Sequence, residues 1–215
     1  MPYTKSTWIP VLSHKVPDAD KFCPSTVGLA GETKYSPEHR RSYVATQGAS
    51  LDYDHKKLYE WLEAEYGQNL DDVHQLRLRN LQVIKYPPGG FFQKHTDHSK
   101  DLKHAATMIF IPPKSLYPHT GGELMVERQI YAADSFDKWR VVMWPVDVEH
   151  EVFAVTSGER VCFKYEVWYY GPEMFQAPTN SDSQLCDVGP ELLKDVGFKE
   201  ESDEEEVDFG FGLFD

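Results

Sequence analysis

The stretch VIKYPPGGFFQKHTD, residues 83–97, runs from an apolar segment through two prolines and two glycines to a His and an Asp one residue apart. Val83 and Ile84 favour a strand, Pro87 and Pro88 stop it, and Gly89 with Gly90 lets the chain turn tightly. On extended backbone His95 and Asp97 leave the same face, so both can grip one ion. Two imidazoles and one carboxylate on one side of an octahedral metal leave open positions opposite, which suits oxygen-activating Fe(II). The second imidazole has to come from elsewhere. His150 fits, because it opens the run HEVFAV, after which Thr156-Ser157-Gly158 turns the chain and delivers Arg160 to the next run. H-x-D alone is a weak pattern, and His98 and His104 stand close enough in sequence to supply a ligand instead.

Working outward, short runs rich in Val, Ile and aromatics recur along the chain as LRLRNLQVIKY, AATMIFI, GELMVER, WRVVMWP and RVCFKYEVWYY. Their number and shortness predict a mainly β domain, a sandwich or barrel rather than βαβ units. KSLYPHTGG and RQIYAADSFDK are expected to interrupt the strands, with Gly121-Gly122 permitting close backbone approach at the rim. Upstream, Leu58, Trp61, Leu62 and Tyr66 recur at helical intervals after Ser50, Asp52 and Asp54 as candidate caps, so one amphipathic helix is expected to end near Gly67. Residues 1–50, punctuated by Pro2, Pro10, Pro17, Pro24 and Pro37, are expected to be loops and short elements wrapped on the core. Periodicity fades beyond Gly171, with a short helix expected around PELLKDVGF.

A chain of 215 residues suits one domain with a tail. The net charge of −13 is concentrated in the terminal run KEESDEEEVDFGFGLFD, and such a balance is repelled by phosphate backbones, so nucleic acid is not an expected partner. Cys23, Cys162 and Cys186 lie far apart with no C-x-x-C pair, which signals neither a disulfide framework nor a thiolate zinc site. No apolar h-region or bilayer-length apolar stretch is present, so the expected setting is the cytoplasm or nucleus, without a membrane partner.

The full order is Tyr86-x-x-Gly89-x-x-Phe92-x-x-His95-x-Asp97, then Gly121-Gly122-Glu123-Leu124, then His150 with Arg160 ten residues on. It resembles the prolyl-hydroxylase-like branch of the Fe(II)/2-oxoglutarate dependent oxygenases over residues 83–169. The resemblance implies a double-stranded β-helix in residues 1–177, then a linker over 178–199 and an acidic tail over 200–215. It implies that His95, Asp97 and His150 ligate Fe(II), that Arg160 pairs with the distal carboxylate of 2-oxoglutarate, and that Tyr86 hydrogen-bonds this co-substrate. O2 is then the oxidant, with ascorbate as an accessory. A guanidinium fork suits a carboxylate on physical grounds as well. The alternative for Arg160 is an exposed hairpin residue paired with Glu159 or Glu166. One departure stands out: where some relatives carry a second co-substrate Tyr, this chain has Phe110 and Ile111. The expected activity is hydroxylation of a protein side chain, prolyl among the options. The alternatives are a small-metabolite oxygenase and a non-catalytic iron-binding adaptor. Nucleic-acid demethylases of this class carry a further Arg soon after the first, which is not found after Arg160.

The terminus, Gly210 to Asp215, resembles the end of the eukaryotic ribosomal acidic stalk proteins, with Phe209 in place of the usual Met. That resemblance implies a docking peptide for translation GTPases or stalk-binding factors, with Phe211, Leu213 and Phe214 as anchors on an otherwise solvated acidic segment. The alternative is a solvating acidic tail whose aromatics fold back on the body. A chain ending at Lys199 is then expected to lose partners that the full chain captures in a pulldown; identical partner sets would remove the docking role.

Overall fold

The computed structural model describes residues 4–29, 32–66, 75–97, 99, 103–132 and 138–170. The stalk-like tail, the segment PELLKDVGF, His98 and Cys186 lie outside the described residues.

Two antiparallel sheets carry the domain. The larger has seven strands, in the order Lys5–Ile9, Trp139–Pro145, His104–Ile111, Arg160–Tyr169, Leu76–Tyr86, Tyr43–Ala45 and Cys23–Pro24. The smaller has five: Gln129–Tyr131, Leu124–Val126, His150–Val152, Phe91–His95 and Arg40–Arg41. This is the double-stranded β-helix expected from the sequence.

The central strands of the large sheet read as near-continuous apolar runs because both of their faces are buried. Val83, Phe110, Val141 and Phe163 point one way, into a core shared with the helix. Their neighbours Ile84, Ile109, Val142 and Cys162 point the other way, into a core between the sheets with Leu124, Val126 and Val152. Phe110 therefore belongs to the helix-side core and Ile111 to the inner one, so the position of the missing tyrosine is filled by packing.

The helix spans His55–Tyr66 and buries Leu58, Leu62 and Tyr66. Asp54 caps it: the Lys57 N–H donates to Asp54 Oδ1 at 3.0 Å. The large sheet hides its apolar face under this single α-helix, the one found among the described residues. No described helix is long and apolar enough to cross a membrane.

The segment expected as loops is richer in strands than its prolines suggested. Lys5–Ile9 pairs along Trp139–Pro145 and closes one edge of the large sheet, while Tyr43–Ala45 and Cys23–Pro24 extend the other. Prolines are tolerated there because edge strands and strand ends have N–H positions with no ladder to serve. The supposed interruptions also contribute strands: His119–Gly121 pairs with Val155–Gly158, and Gln129–Tyr131 with Leu124–Val126.

Replacing Asp54 by Ala removes the cap acceptor and should lower unfolding stability by about 1 kcal/mol in urea denaturation, with the metal site unaffected.

Candidate metal centre

His95 ends the strand Phe91–His95, and across the sheet it stands opposite His150, the first residue of His150–Val152. The pairing of two strands thus brings two imidazoles together whose positions lie far apart in the chain. Asp97 follows on the loop beyond the strand, not on continued strand as the spacing suggested. One ligand atom from each of His95, Asp97 and His150 lies within 4.8 Å of the others. His104 has no part in the cluster; it is buried and its ring stacks on Trp168 at 5.8 Å.

Both imidazoles are held for ligation. A carbonyl oxygen can only accept, so the contact of His95 Nδ1 with the Gln93 carbonyl at 2.8 Å puts the proton on Nδ1 and leaves Nε2 bare. His150 Nδ1 donates in the same way to the Val148 carbonyl at 2.9 Å. His95 Nε2 is buried with no hydrogen-bond partner among the described residues. The His150 Nε2 atom lies 3.8 Å from Asp97 Oδ2. A buried bare nitrogen facing a second imidazole and a carboxylate fits a divalent metal.

Charge at the centre follows the same logic. Burial pushes the His95 imidazole down to about 3, and the neighbouring His150 adds to the effect. Burial likewise lowers His150. For Asp97 burial alone would raise the carboxyl, but Lys164, His150 and the Thr107 hydrogen bond outweigh it and hold the group well below the usual carboxylate range. Thr107 Oγ1 donates to Asp97 Oδ2 at 2.5 Å, and Lys164 Nζ sits 3.3 and 3.4 Å from the two carboxylate oxygens.

Arg160 is 2% exposed, which removes the surface-hairpin alternative. Glu159 instead meets Lys85 at 3.5 Å, and Glu166 accepts from Asn80 at 2.5 Å. One Arg160 nitrogen donates to Cys162 Sγ at 3.3 Å; Nη2 is buried with no partner among the described residues. An unsatisfied buried guanidinium fits a carboxylate ligand. Gly122 makes its room: at φ +72°, a Cβ there would stand 2.9 Å from Arg160 Cδ and 2.8 Å from Val155 Cγ2.

In front of the cluster lies a cavity of about 560 Å³, lined by His95, Asp97, His150, Tyr86, Lys164 and Arg40 among others. Arg160 itself does not line it: the guanidinium carbon lies 5.1 Å from the Tyr86 ring centre, and Tyr86 faces the cavity. Burial raises the Tyr86 hydroxyl, against Arg40 and Arg160, so it stays a neutral donor.

The profile of the 2OG-Fe(II) oxygenase superfamily matches residues 81–170. Over that segment the chain is similar to this superfamily. The match, together with the clustered His95, Asp97 and His150, gives Fe(II) as the cofactor and 2-oxoglutarate as the co-substrate of an oxygenase. Similar solved structures include a 2OG-Fe(II) oxygenase family oxidoreductase from Burkholderia pseudomallei, 18% identical, covering 71% of this chain and 75% of its own at TM-score 0.44. A Pseudomonas putida prolyl-4-hydroxylase is 19% identical over 68% and 76% at 0.43. A Trichoplax adhaerens prolyl hydroxylase, in complex with a hypoxia inducible factor oxygen degradation domain peptide fragment, is 17% identical over 68% and 70% at 0.41. No curated protein matches the chain in sequence. The family match ends at residue 170, so the tail stands on its sequence alone.

Lys164, Thr107 and Arg40 escaped the sequence. Lys164 had a signal: four residues past Arg160 on one strand, it must share that residue's face.

In the metal-free oxygenase, folded His95 gains its proton only near pH 3, whereas the unfolded residue gains it near 6.5. Between those values the unfolded chain holds more protons, so stability falls as pH drops through the window. Denaturation midpoints measured across that range should show His95→Gln flattening the decline, by up to about 1.4 kcal/mol per pH unit. An unchanged slope would mean that His95 is not buried neutral.

Proposed function

We propose that this oxygenase hydroxylates a protein or peptide side chain, prolyl among the candidates, with 2-oxoglutarate converted to succinate. The observation that carries the proposal is the triad on the wall of an open cavity whose outer rim is polar backbone and side chain: Thr26, Gly28, Glu32, Thr33, Gln93 and Lys94. The hairpin Val27–Leu29 with Glu32–Lys34 forms part of that rim. A rim of extended backbone suits a peptide, whose own backbone needs partners wherever water is displaced.

His95, Asp97 and His150 would hold the iron. The chemistry iron supplies in this superfamily is oxidative: dioxygen is divided between 2-oxoglutarate, which leaves as succinate and carbon dioxide, and a C–H bond, which becomes C–OH. The protein's share is placement. The Nδ1 bonds to Gln93 and Val148 fix both rings, Thr107 orients the carboxylate, and the apolar inner core excludes water behind the site. Arg160 would bind the distal carboxylate, with the Tyr86 ring beside it.

Anaerobic titration of the full chain with Fe(II) and 2-oxoglutarate should develop the weak visible charge-transfer band of the paired ligands, and His150→Ala should abolish both the band and succinate formation. Peptides incubated with the active enzyme should gain one oxygen in mass spectrometry. Oxygen gain confined to small metabolites would replace the peptide reading with the metabolite one.

A further inference from the structure

We infer that Lys164 is a second co-substrate-binding cation, one that holds the keto-acid carboxylate of 2-oxoglutarate at the metal while Arg160 holds the far end. The inference rests on the co-substrate reading above and assigns a residue that the sequence motif leaves out.

Lys164 and Arg160 project from one strand onto one face, with Cys162 between them. Four residues of strand separate their backbones by roughly 13 Å. Side chains of their length, leaning inward from that spacing, can bracket a five-carbon diacid. Their surroundings differ in kind. Arg160 is paired across the sheet with Tyr86 and lies behind it, off the cavity, whereas Lys164 is paired with Gln82 and lines the cavity beside the triad. One cation therefore lines the cavity beside the triad, and the other stands at the Tyr86 ring, off the cavity and remote from the triad.

The partner of the Lys164 ammonium among the described residues is Asp97, through both oxygens. When Asp97 ligates a divalent ion, that pairing weakens, because the metal takes charge density from the same carboxylate and repels the ammonium. A second carboxylate arriving at the metal gives the ammonium another anion within reach. The keto-acid carboxylate of the co-substrate is the anion the site is built to receive.

Two further cations line the cavity and both are already committed: Lys94 pairs with Glu149 at 2.7 Å, and Arg40 is held from three sides. Its Nε donates to Ser42 Oγ at 2.8 Å, Nη1 to the Thr26 carbonyl at 3.1 Å, and its plane covers the Phe92 ring at 4.4 Å. Lys164, on four rotatable bonds with three donors, is able to exchange Asp97 for an incoming carboxylate.

The test is calorimetric titration of Mn(II)-loaded full chain with two probes: 2-oxoglutarate, and 2-oxobutanoate, which keeps the keto acid but lacks the distal carboxylate. Lys164→Met should weaken both probes by about ten- to a hundredfold, and Lys164→Arg should restore most of the loss. Arg160→Met should weaken 2-oxoglutarate alone. Bound Mn(II), counted by electron paramagnetic resonance, should be retained in each variant; if Lys164→Met does not retain it, Lys164→Gln is titrated instead. If the Lys164 variant binds 2-oxobutanoate like the native protein, Lys164 is merely the counter-ion of Asp97 and the inference falls while the oxygenase reading stands. If the native protein binds neither probe, the co-substrate reading fails and takes this inference with it.

Discussion

Asp97 places a negative charge inside a protein, and a buried carboxylate is tolerated only where donors and cations surround it. Here Thr107 reaches one oxygen from the strand His104–Ile111, Lys164 reaches both from Arg160–Tyr169, and His150 approaches from the smaller sheet. Three strands from two sheets thus converge on one side chain that itself stands on a loop. The loop need not be rigid in its own right, because its carboxylate is fixed from outside. The same convergence defines where the barrel opens: the polar end of the inner face is the end where these donors gather.

The inner face changes character along each strand. On Arg160–Tyr169 the inward residues are Arg160, Cys162 and Lys164; on Leu76–Tyr86, paired residue for residue, they are Tyr86, Ile84 and Gln82. An apolar layer of Cys162 and Ile84 therefore divides two polar layers. A ligand with a charge at each end and a hydrocarbon middle matches this sequence of layers, and 2-oxoglutarate has that shape. Low polarity between the charged ends strengthens whatever ion pairs form there.

What was legible in the sequence follows from what is local. Leu76–Tyr86 and Trp139–Pro145 coincide with the runs read from their apolar residues, and the helix with its cap followed from Asp54, Leu58 and Leu62. His95, Asp97 and His150 were found by motif order, which stands in for a tertiary contact no spacing reveals. The short strands His119–Gly121 and Gln129–Tyr131 were hidden because a three-residue strand has too few residues to show a period. Thr107 lay unnoticed as one hydroxyl within an apolar run. The depth of Arg160 behind Tyr86 depends on side-chain packing, to which sequence order is blind.

The N-terminal segment gains a purpose from the same geometry. Arg40 pairs with Phe92 across the sheet edge, its guanidinium 4.4 Å from the Phe92 ring centre, and Phe92 stacks on His95 at 3.5 Å and 23°. A cation, a phenyl ring and the His95 imidazole are thus linked through Phe92. The Gln93 carbonyl fixes the tautomer of His95, while Phe92 fixes the plane of its ring and Arg40 packs on the phenyl. Residues before the family-matched region, 81–170, thereby reach His95 through a single aromatic ring. Pro10 and Pro24 stand at the ends of short edge strands, and the strand Arg40–Arg41 adds an edge beside Phe91–His95.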